Sequence, residues 1–138
     1  MAKGDRADGR VLQNRYELLS QLGSGGMGSV WLAKDRVLQR EVALKELLQY
    51  GSSPDRDERR QRAFGEARAM AKVKHPNIVR IHDVFLDQDD PWLVMDYISG
   101  RSLDEIIANN PLDERTAASV GLPVLRGLEA AHRENIVH

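Results

Sequence analysis

The order of apolar and polar residues predicts a small sheet in the first part of the chain. Along residues 29–35, Val30 and Leu32 alternate with Trp31 and Ala33, which is the period of two that a pleated strand requires. Residues 41–48 have a composition that also suits a helix, and their position in the pattern places a strand in their first part. The five predicted strands are 16–23, 29–35, the first part of 41–48, 79–86 and 92–97.

Three helices are predicted from spacing and from capping residues. Apolar residues at helical spacing predict a helix over residues 57–73, which ends before Pro76 because proline cannot continue it. Ser102, with a glutamate three residues later, fits a capping box and predicts a short helix. A longer helix is predicted over residues 113–134, and Pro123 inside it should kink the helix or lower its stability.

The composition narrows the class of protein. With 138 residues, 41% of them hydrophobic and 30% charged, the chain can bury a moderate core. The formal net charge of -1 argues against a general nucleic-acid binder, and the absence of cysteine excludes disulfides. No apolar run approaches the ~18 residues of a membrane span, and residues 1–14 are interpreted as a flexible tail rather than a signal peptide. The cytoplasm is the expected compartment.

A glycine-rich turn between the first two predicted strands is the first candidate for chemistry. Gly23, Gly25 and Gly28 follow the spacing G-x-G-x-x-G, which dinucleotide-binding folds also use where a helix begins. Here strand-like residues follow the glycines, so the turn is interpreted as a hairpin tip. Glycines at such a tip allow backbone groups to approach phosphate oxygens without a side-chain clash. A plain glycine-rich hairpin is the alternative interpretation.

Lys45 is the second candidate. Alternation along the strand places Ala43 and Lys45 on the same face, where the small alanine leaves room for a flat aromatic ring. The ammonium group would then reach toward phosphates. A lysine on a buried face needs anionic partners, because its desolvation is otherwise costly. In the alternative, Lys45 extends from a strand edge into water.

Glu66 is the candidate partner of Lys45. It lies three residues after Ala63 and four before Met70, so it shares their apolar face of the predicted helix. A carboxylate on that face should turn toward the sheet, and an ion pair with Lys45 would offset the burial of both charges. In the alternative, Glu66 lies in water at the margin of the apolar stripe.

Together these segments resemble the eukaryotic-type serine/threonine protein kinases of bacteria. The similarity lies in GSGGMGSVW, VALK, HPNIV and LVMDYISGRSLDEII, and it extends over about residues 15–138. The resemblance implies an α+β fold. A kinase small lobe, with a five-stranded antiparallel sheet and one regulatory helix, would occupy residues 15–98, and residues 99–138 would begin an incomplete, mainly helical large lobe. It also implies transfer of a phosphoryl group from ATP to serine or threonine of proteins.

The resemblance implies roles for individual residues. Lys45 would hold the α- and β-phosphates and pair with Glu66 of the regulatory helix, and both would be catalytic residues. Met95 would be the gatekeeper before a hinge whose backbone groups bind the adenine edge, while Met70 and Ile81 would belong to a hydrophobic column between the lobes. The implied nucleotide-binding residues are Leu22, Gly23, Ser24, Gly25, Gly26, Met27, Gly28, Ser29, Val30, Ala43, Lys45, Met95, Asp96, Tyr97 and Ile98.

The resemblance also says what this chain lacks. His138 would be the first residue of the His-Arg-Asp catalytic loop, so the family's catalytic aspartate and magnesium ligands fall outside the chain. We therefore expect Mg²⁺ in the complete enzyme, no metal site in this chain, and no kinase activity of the chain alone. Protein substrates are the implied partners, with a homodimer through the small lobe as a further candidate. The alternative to a kinase is a non-catalytic nucleotide-binding or dimerisation module.

Overall fold

The structure is a computed structural model, which describes residues 9–25, 28–47 and 55–137. Within these residues the chain forms one sheet and three helices. The strands are β1 (Val11–Leu12), β2 (Tyr16–Gly25), β3 (Gly28–Asp35), β4 (Arg40–Glu46), β5 (Ile81–Asp87) and β6 (Asp90–Asp96). The helices are α1 (Arg56–Lys72), α2 (Leu103–Ile107) and α3 (Glu114–Arg133).

The described strands form a single antiparallel sheet in the order β1-β2-β3-β4-β6-β5. The predicted α+β fold is confirmed, with one additional strand. That strand, β1, lies in the segment predicted as a flexible tail: Leu12 pairs with Tyr16 and is only 1% exposed. Two residues are too few for an alternating pattern to be recognised. The remainder of the predicted tail includes residues 1–8, which lie outside the described residues.

The sheet curls until its two edges approach each other, and the core lies inside the curl. The rings of Tyr16 on β2 and Phe85 on β5 stack with their centroids 5.4 Å apart, although these strands are far apart in the sheet order. An ion pair between Arg10 and Asp87 joins the same two regions. The buried residues of this core are Leu12, Tyr16, Leu18, Ala33, Val42, Leu44, Trp92 and Val94.

Helix α1 covers the other face of the sheet, where it packs against β5 and β6. Its Ala63 and Ala67 are buried, yet they do not belong to the core inside the curl. The helix begins after Asp55, whose side chain accepts a hydrogen bond from the Asp57 N–H. It ends at Lys72, close to the predicted boundary.

A buried carboxylate fixes the turn between β3 and β4. Asp35 is fully buried and accepts hydrogen bonds from Nε and Nη2 of Arg15, at 2.9 and 2.7 Å. It also accepts the backbone N–H groups of Val37 and Leu38, at 3.0 and 3.1 Å. The hydrogen bond from Arg15 lowers the pKa of Asp35 to about 2, and the two backbone groups act in the same direction, whereas desolvation opposes them.

The two later helices begin at side-chain caps. Ser102 accepts a hydrogen bond from the Glu105 N–H, and the Glu105 carboxylate accepts one from the Ser102 N–H, so the predicted capping box is present. Asp113 caps α3 by accepting the N–H of Thr116, at 2.7 Å. Pro123 lies inside α3, which continues past it to Arg133.

Helix α3 comes very close to the loop that follows α1. A Cβ atom on Gly127 would lie 3.2 Å from the carbonyl oxygen of Asn77 and 3.4 Å from Cγ1 of Ile78, so only glycine permits this approach without a shift. Much of the remaining surface of α3 is exposed, and Leu125, for example, is 62% exposed.

We predict that Asp35 makes the protein sensitive to acid. Because the pKa of Asp35 is lowered on folding, its contribution is fully present above about pH 4 and is lost as the pH falls toward 2. The contribution is about 2–3 kcal/mol. Asp35→Asn should lower the free energy of unfolding by about this amount at neutral pH and should flatten its decline between pH 4 and 2, as measured by urea unfolding.

Asp104→Asn is the matched control for this experiment, because Asp104 is exposed on α2. It should change the free energy of unfolding by no more than about 0.5 kcal/mol. An acid transition that stays the same in the Asp35 variant would contradict the interpretation of the buried ion pair.

We expect amide hydrogen exchange to distinguish α3 from the sheet. Strands β4 and β6 contribute residues to the core, whereas α3 buries little apolar surface. The hydrogen bonds of α3 should therefore open at a lower free energy than those of the two strands. Exchange measured on the whole chain should show residues 117–130 losing protection before residues 42–45 and 92–95. Equal and strong protection in both regions would contradict this expectation.

Candidate functional site

Strand pairing brings several predicted site residues onto one face of the sheet. Val30 pairs with Lys45, and Ala43 pairs with Met95. Paired residues project to the same face, as do residues two apart on one strand, so these four side chains share one surface. Gly23 lies opposite Val30 and extends this surface to β2. We call it the lysine face.

Lys45 lies near the centre of the lysine face, between Val30 on β3 and Leu93 on β6. Its side chain is half-buried. The ion pairs among the described residues do not include Lys45. A half-buried ammonium group that lacks an ion-pair partner loses hydration without compensation, so this surface favours an anion.

The glycine-rich turn is a hairpin between β2 and β3, because Gly25 pairs with Gly28 and a strand follows. Gly28 has a φ of 116°, a conformation that favours glycine. At Gly23 and Gly25, by contrast, a Cβ atom would meet nothing within 4 Å. Contacts within the described structure therefore do not account for these two glycines. The tip itself, Gly26 and Met27, lies outside the described residues.

The remaining loop residues line the hairpin on both strands. Leu22 lies at an irregularity in the pairing of β2 with β3 and is exposed. Ser24 pairs with Ser29 across the hairpin. A bulge of this kind bends the strand and increases its twist, so it can direct the end of a hairpin away from the plane of the sheet.

The predicted hinge is the segment in which the chain leaves the sheet. Strand β6 ends at Asp96, and after it Tyr97 is half-buried and Ile98 is exposed. The backbone N–H of Asp96 donates to the carbonyl of Arg80, at 3.0 Å. The Asp96 side chain lies 2.6 Å from Nε2 of His82 on β5.

Desolvation raises the pKa of the Asp96 carboxyl group, but other contacts outweigh it. The hydrogen bond and charge of His82 act most strongly against it, and the Arg80 backbone N–H, as a donor to the carboxylate, and the charge of Arg80 contribute as well. The pKa of Asp96 consequently lies below its usual value. The last residue of β6 therefore carries a negative charge held by a neighbouring strand.

Glu66 does not have the inward orientation predicted from the sequence. Its side chain is exposed on α1, and no ion pair within the described ranges joins it to Lys45, although Glu66 does have an interaction partner. At about 100° per residue, Glu66 points roughly 80° away from the direction shared by Ala63 and Ala67. It lies at the margin of the apolar stripe, as the alternative interpretation has it.

Sequence reasoning missed two polar contacts near the site. His82 and Asp96 are 14 residues apart, a spacing that carries no local signal. Arg60 of α1 forms an ion pair with Asp89, in the turn between β5 and β6. Both contacts join residues that come together only once the sheet is assembled.

The described residues offer neither a cluster of metal ligands nor a membrane-spanning helix. In that part of the chain, histidine, aspartate and glutamate form no group of three or more that could hold a metal ion. Likewise, none of the described helices is long and apolar enough to cross a membrane.

Comparison with known proteins identifies the family. Residues 16–138 match the protein kinase domain. The match covers β2 to β6 and all three helices, and with them the lysine face, the glycine hairpin and the hinge. The chain therefore belongs to the protein kinase family.

Curated relatives support this assignment. The chain is 37% identical over 131 residues to the serine/threonine-protein kinase PrkC of Bacillus subtilis, a match that covers 94% of the chain and 20% of that protein. It is 39% identical over 131 residues to a probable serine/threonine-protein kinase of Clostridium perfringens, covering 94% of the chain and 19% of that protein. The chain thus spans about a fifth of the length of these relatives.

Solved structures show the same fold. The kinase domain of Mycobacterium tuberculosis PknI, in a single-mutant form, superposes with a TM-score of 0.81 at 26% sequence identity. That superposition covers 100% of this chain and 55% of the PknI chain. A second PknI kinase domain structure gives a TM-score of 0.79 at 28% identity, covering 96% of this chain and 53% of that one.

We predict that two glycines of the hairpin respond differently to alanine. Gly28→Ala should lower the free energy of unfolding by about 1–3 kcal/mol, because its positive φ strains any residue with a side chain. Gly25→Ala should change it by less than about 0.5 kcal/mol, because its Cβ meets open space. Urea unfolding at neutral pH measures both. Equal losses would mean that Gly25 has a structural role of its own.

Proposed function

We propose that this chain is the ATP-binding part of a serine/threonine protein kinase, which transfers the γ-phosphoryl group of ATP to hydroxyl groups of proteins. The observation that carries the proposal is the half-buried Lys45, which has no ion-pair partner among the described residues and lies next to the glycine hairpin. Membership of the protein kinase family supports the reaction type, and the names of the relatives favour serine and threonine as acceptors.

The adenine ring would lie on the apolar part of the lysine face. Val30 and Met95 offer apolar contacts, and the small Ala43 between them leaves the depth that a flat ring needs. The ring edge would then face Asp96, Tyr97 and Ile98, where the chain leaves the sheet and backbone groups are no longer all used in strand pairing.

The phosphates would extend along the hairpin toward Lys45. Backbone groups at Gly23 and Gly25 can approach phosphate oxygens closely, because no side chain occupies that space. The Lys45 ammonium would neutralise charge on the α- and β-phosphates and regain the stabilisation that it lacks in the free chain. This binding role accounts for two glycines that the fold leaves unexplained.

Glu66 would act by orienting Lys45 when nucleotide is bound. We infer that α1 turns about its axis, or shifts toward β4, so that the carboxylate faces the lysine face. The exposed position of Glu66 in the present structure then corresponds to an arrangement not yet engaged with Lys45.

Phosphoryl transfer depends mainly on positioning and on neutralising charge, and this chain would contribute the positioning of ATP. Mg²⁺ would supply further charge neutralisation at the phosphates, but the described residues contain no group of three or more potential ligands for it. The acceptor would be a protein serine or threonine, and the cytoplasm would be the compartment that supplies ATP.

The division into lobes is part of the same proposal. Residues 15–98 would form the kinase small lobe, with the ATP-binding hairpin and the hinge, and residues 99–138 would begin the large lobe. The close approach of Gly127 on α3 to the loop at Asn77 and Ile78 is consistent with two units that meet there.

A homodimer through the small lobe is a second candidate role. At the turn between β3 and β4, Val37 and Leu38 are 67% and 55% exposed. Asp35 holds the backbone of both residues through hydrogen bonds, so the apolar pair is presented on a fixed turn. Such a turn offers a small, preformed contact for a second copy of the chain.

The proposal predicts that Lys45→Met weakens ATP binding by about tenfold or more, which corresponds to about 1.4 kcal/mol per factor of ten. The free energy of unfolding should not fall, because Lys45 has no ion pair to lose among the described residues and methionine keeps an apolar stem. Isothermal titration calorimetry measures the affinity, and urea unfolding measures the stability.

Lys34→Met is the matched control. Lys34 is exposed on β3. It lies four residues, or about 13 Å along the strand, from Val30, which is the residue that pairs with Lys45. It should leave ATP affinity unchanged within about twofold. Equal affinity of the wild-type chain and the Lys45 variant for ATP would remove Lys45 from its assigned role.

A further inference from the structure

We propose that His82 is a positioning residue for the hinge: its imidazole holds the Asp96 side chain and thereby fixes the backbone of residues 96–98. The inference rests on the proposed function, because these backbone groups are the ones that would bind the adenine edge. His82 itself does not touch the nucleotide. It acts through Asp96.

Asp96 is held from one side by two contacts. Its side chain lies 2.6 Å from Nε2 of His82, and its backbone N–H donates to the carbonyl of Arg80, at 3.0 Å. Both partners belong to the segment that enters β5. Since Asp96 is the last residue of β6, these contacts hold the point at which the chain leaves the sheet.

A bulge in β5 directs His82 toward Asp96. Ile81 pairs with Met95, but the next pair is Asp83 with Val94, so His82 is an extra residue between them. In an unshifted ladder, His82 would lie directly opposite Val94. The extra residue displaces it toward the end of β6, where Asp96 lies. Bulges often re-aim a side chain beside a functional site.

Burial strengthens this contact relative to a surface pair. The His82 side chain is 16% exposed and that of Asp96 is 40% exposed, so water screens the contact only partly. Hydrogen bonds that involve a charged group are about twice as strong as neutral ones. The contact can therefore restrain a chain segment that has no strand partner beyond it.

The ionised Asp96 carboxylate can only accept hydrogen bonds, so the imidazole of His82 is the donor in this contact. The other charged or titratable groups around Asp96 are Lys74, His75 and Arg80, which line a groove of about 390 Å³ together with it. Asp83 follows His82 on β5 and is exposed.

The neighbouring groups act in different directions. Arg80 and Lys74 add positive charge beside the Asp96 carboxylate, while the exposed Asp83 adds negative charge next to His82. His75 accepts the backbone N–H of Asn77 through Nδ1, so one of its ring nitrogens is already engaged. Asp96 is the carboxylate that lines this groove, and it makes the shortest polar contact with His82.

The test compares the ATP affinity of the full chain with that of His82→Leu, His82→Gln and the control His132→Gln, at neutral pH. His132 is exposed near the end of α3. We expect His82→Leu to weaken binding on the order of three- to tenfold, because it removes the hydrogen bond to Asp96.

The glutamine variant separates positioning from simple packing. Gln can donate a hydrogen bond to Asp96, so His82→Gln should restore part of the affinity that His82→Leu loses. His132→Gln should match wild type. If the wild-type chain binds ATP and His82→Leu binds it with the same affinity, the inference is overturned.

Amide exchange of residues 96–98 in the absence of nucleotide gives an independent readout. Faster exchange confined to these residues in His82→Leu supports the inference, whereas unchanged exchange, or a loss spread evenly over β4 and β6, overturns it. If wild type binds no ATP, the proposed function fails and this exchange alone decides the inference. If His82→Leu does not fold, His82→Gln and Asp96→Asn are compared in the same way.

Discussion

Successive side chains of β4 project to opposite faces of the sheet, and the described structure depends on this alternation. Val42 and Leu44 point into the curl, where they belong to the apolar core, while Ala43 and Lys45 point to the lysine face. A one-residue slip of β4 would exchange the two sets and bury the lysine in the core. The register that stabilises the core is therefore the same register that sets the site.

The curl of the sheet fixes this division of faces. The stacked rings of Tyr16 and Phe85 join β2 and β5 across the core. The ion pair between Arg15 and the buried Asp35 stabilises the turn between β3 and β4. Because the strands themselves enclose the core, the lysine face takes no part in it and is available for other contacts. Helix α1 covers part of it at β5 and β6, and the glycine hairpin projects beyond it.

The features that could be predicted from the sequence are those that depend on local periodicity. Alternation places Ala43 and Lys45 on one face before the fold is known, and the glycine turn is followed by a strand that argues against a dinucleotide fold. The short strand at Leu12 escaped prediction because two residues carry no periodicity, and it forms only because β2 offers a partner edge. His82 escaped because its contact with Asp96 depends on a bulge, which is a property of the paired strands.

The orientation of Glu66 was predicted wrongly for a different reason, which also bears on function. The residues that α1 buries against the sheet include Ala63 and Ala67, whose small side chains give little apolar stabilisation. Arg60 attaches the helix to the turn between β5 and β6 through a partly exposed ion pair with Asp89, which contributes only about 0–1 kcal/mol. Nε of Arg60 is also buried without a hydrogen-bond partner among the described residues, which weakens this attachment further. The sequence cannot fix the rotation of a helix held so weakly, and a ligand on Lys45 could change that rotation at small energetic cost.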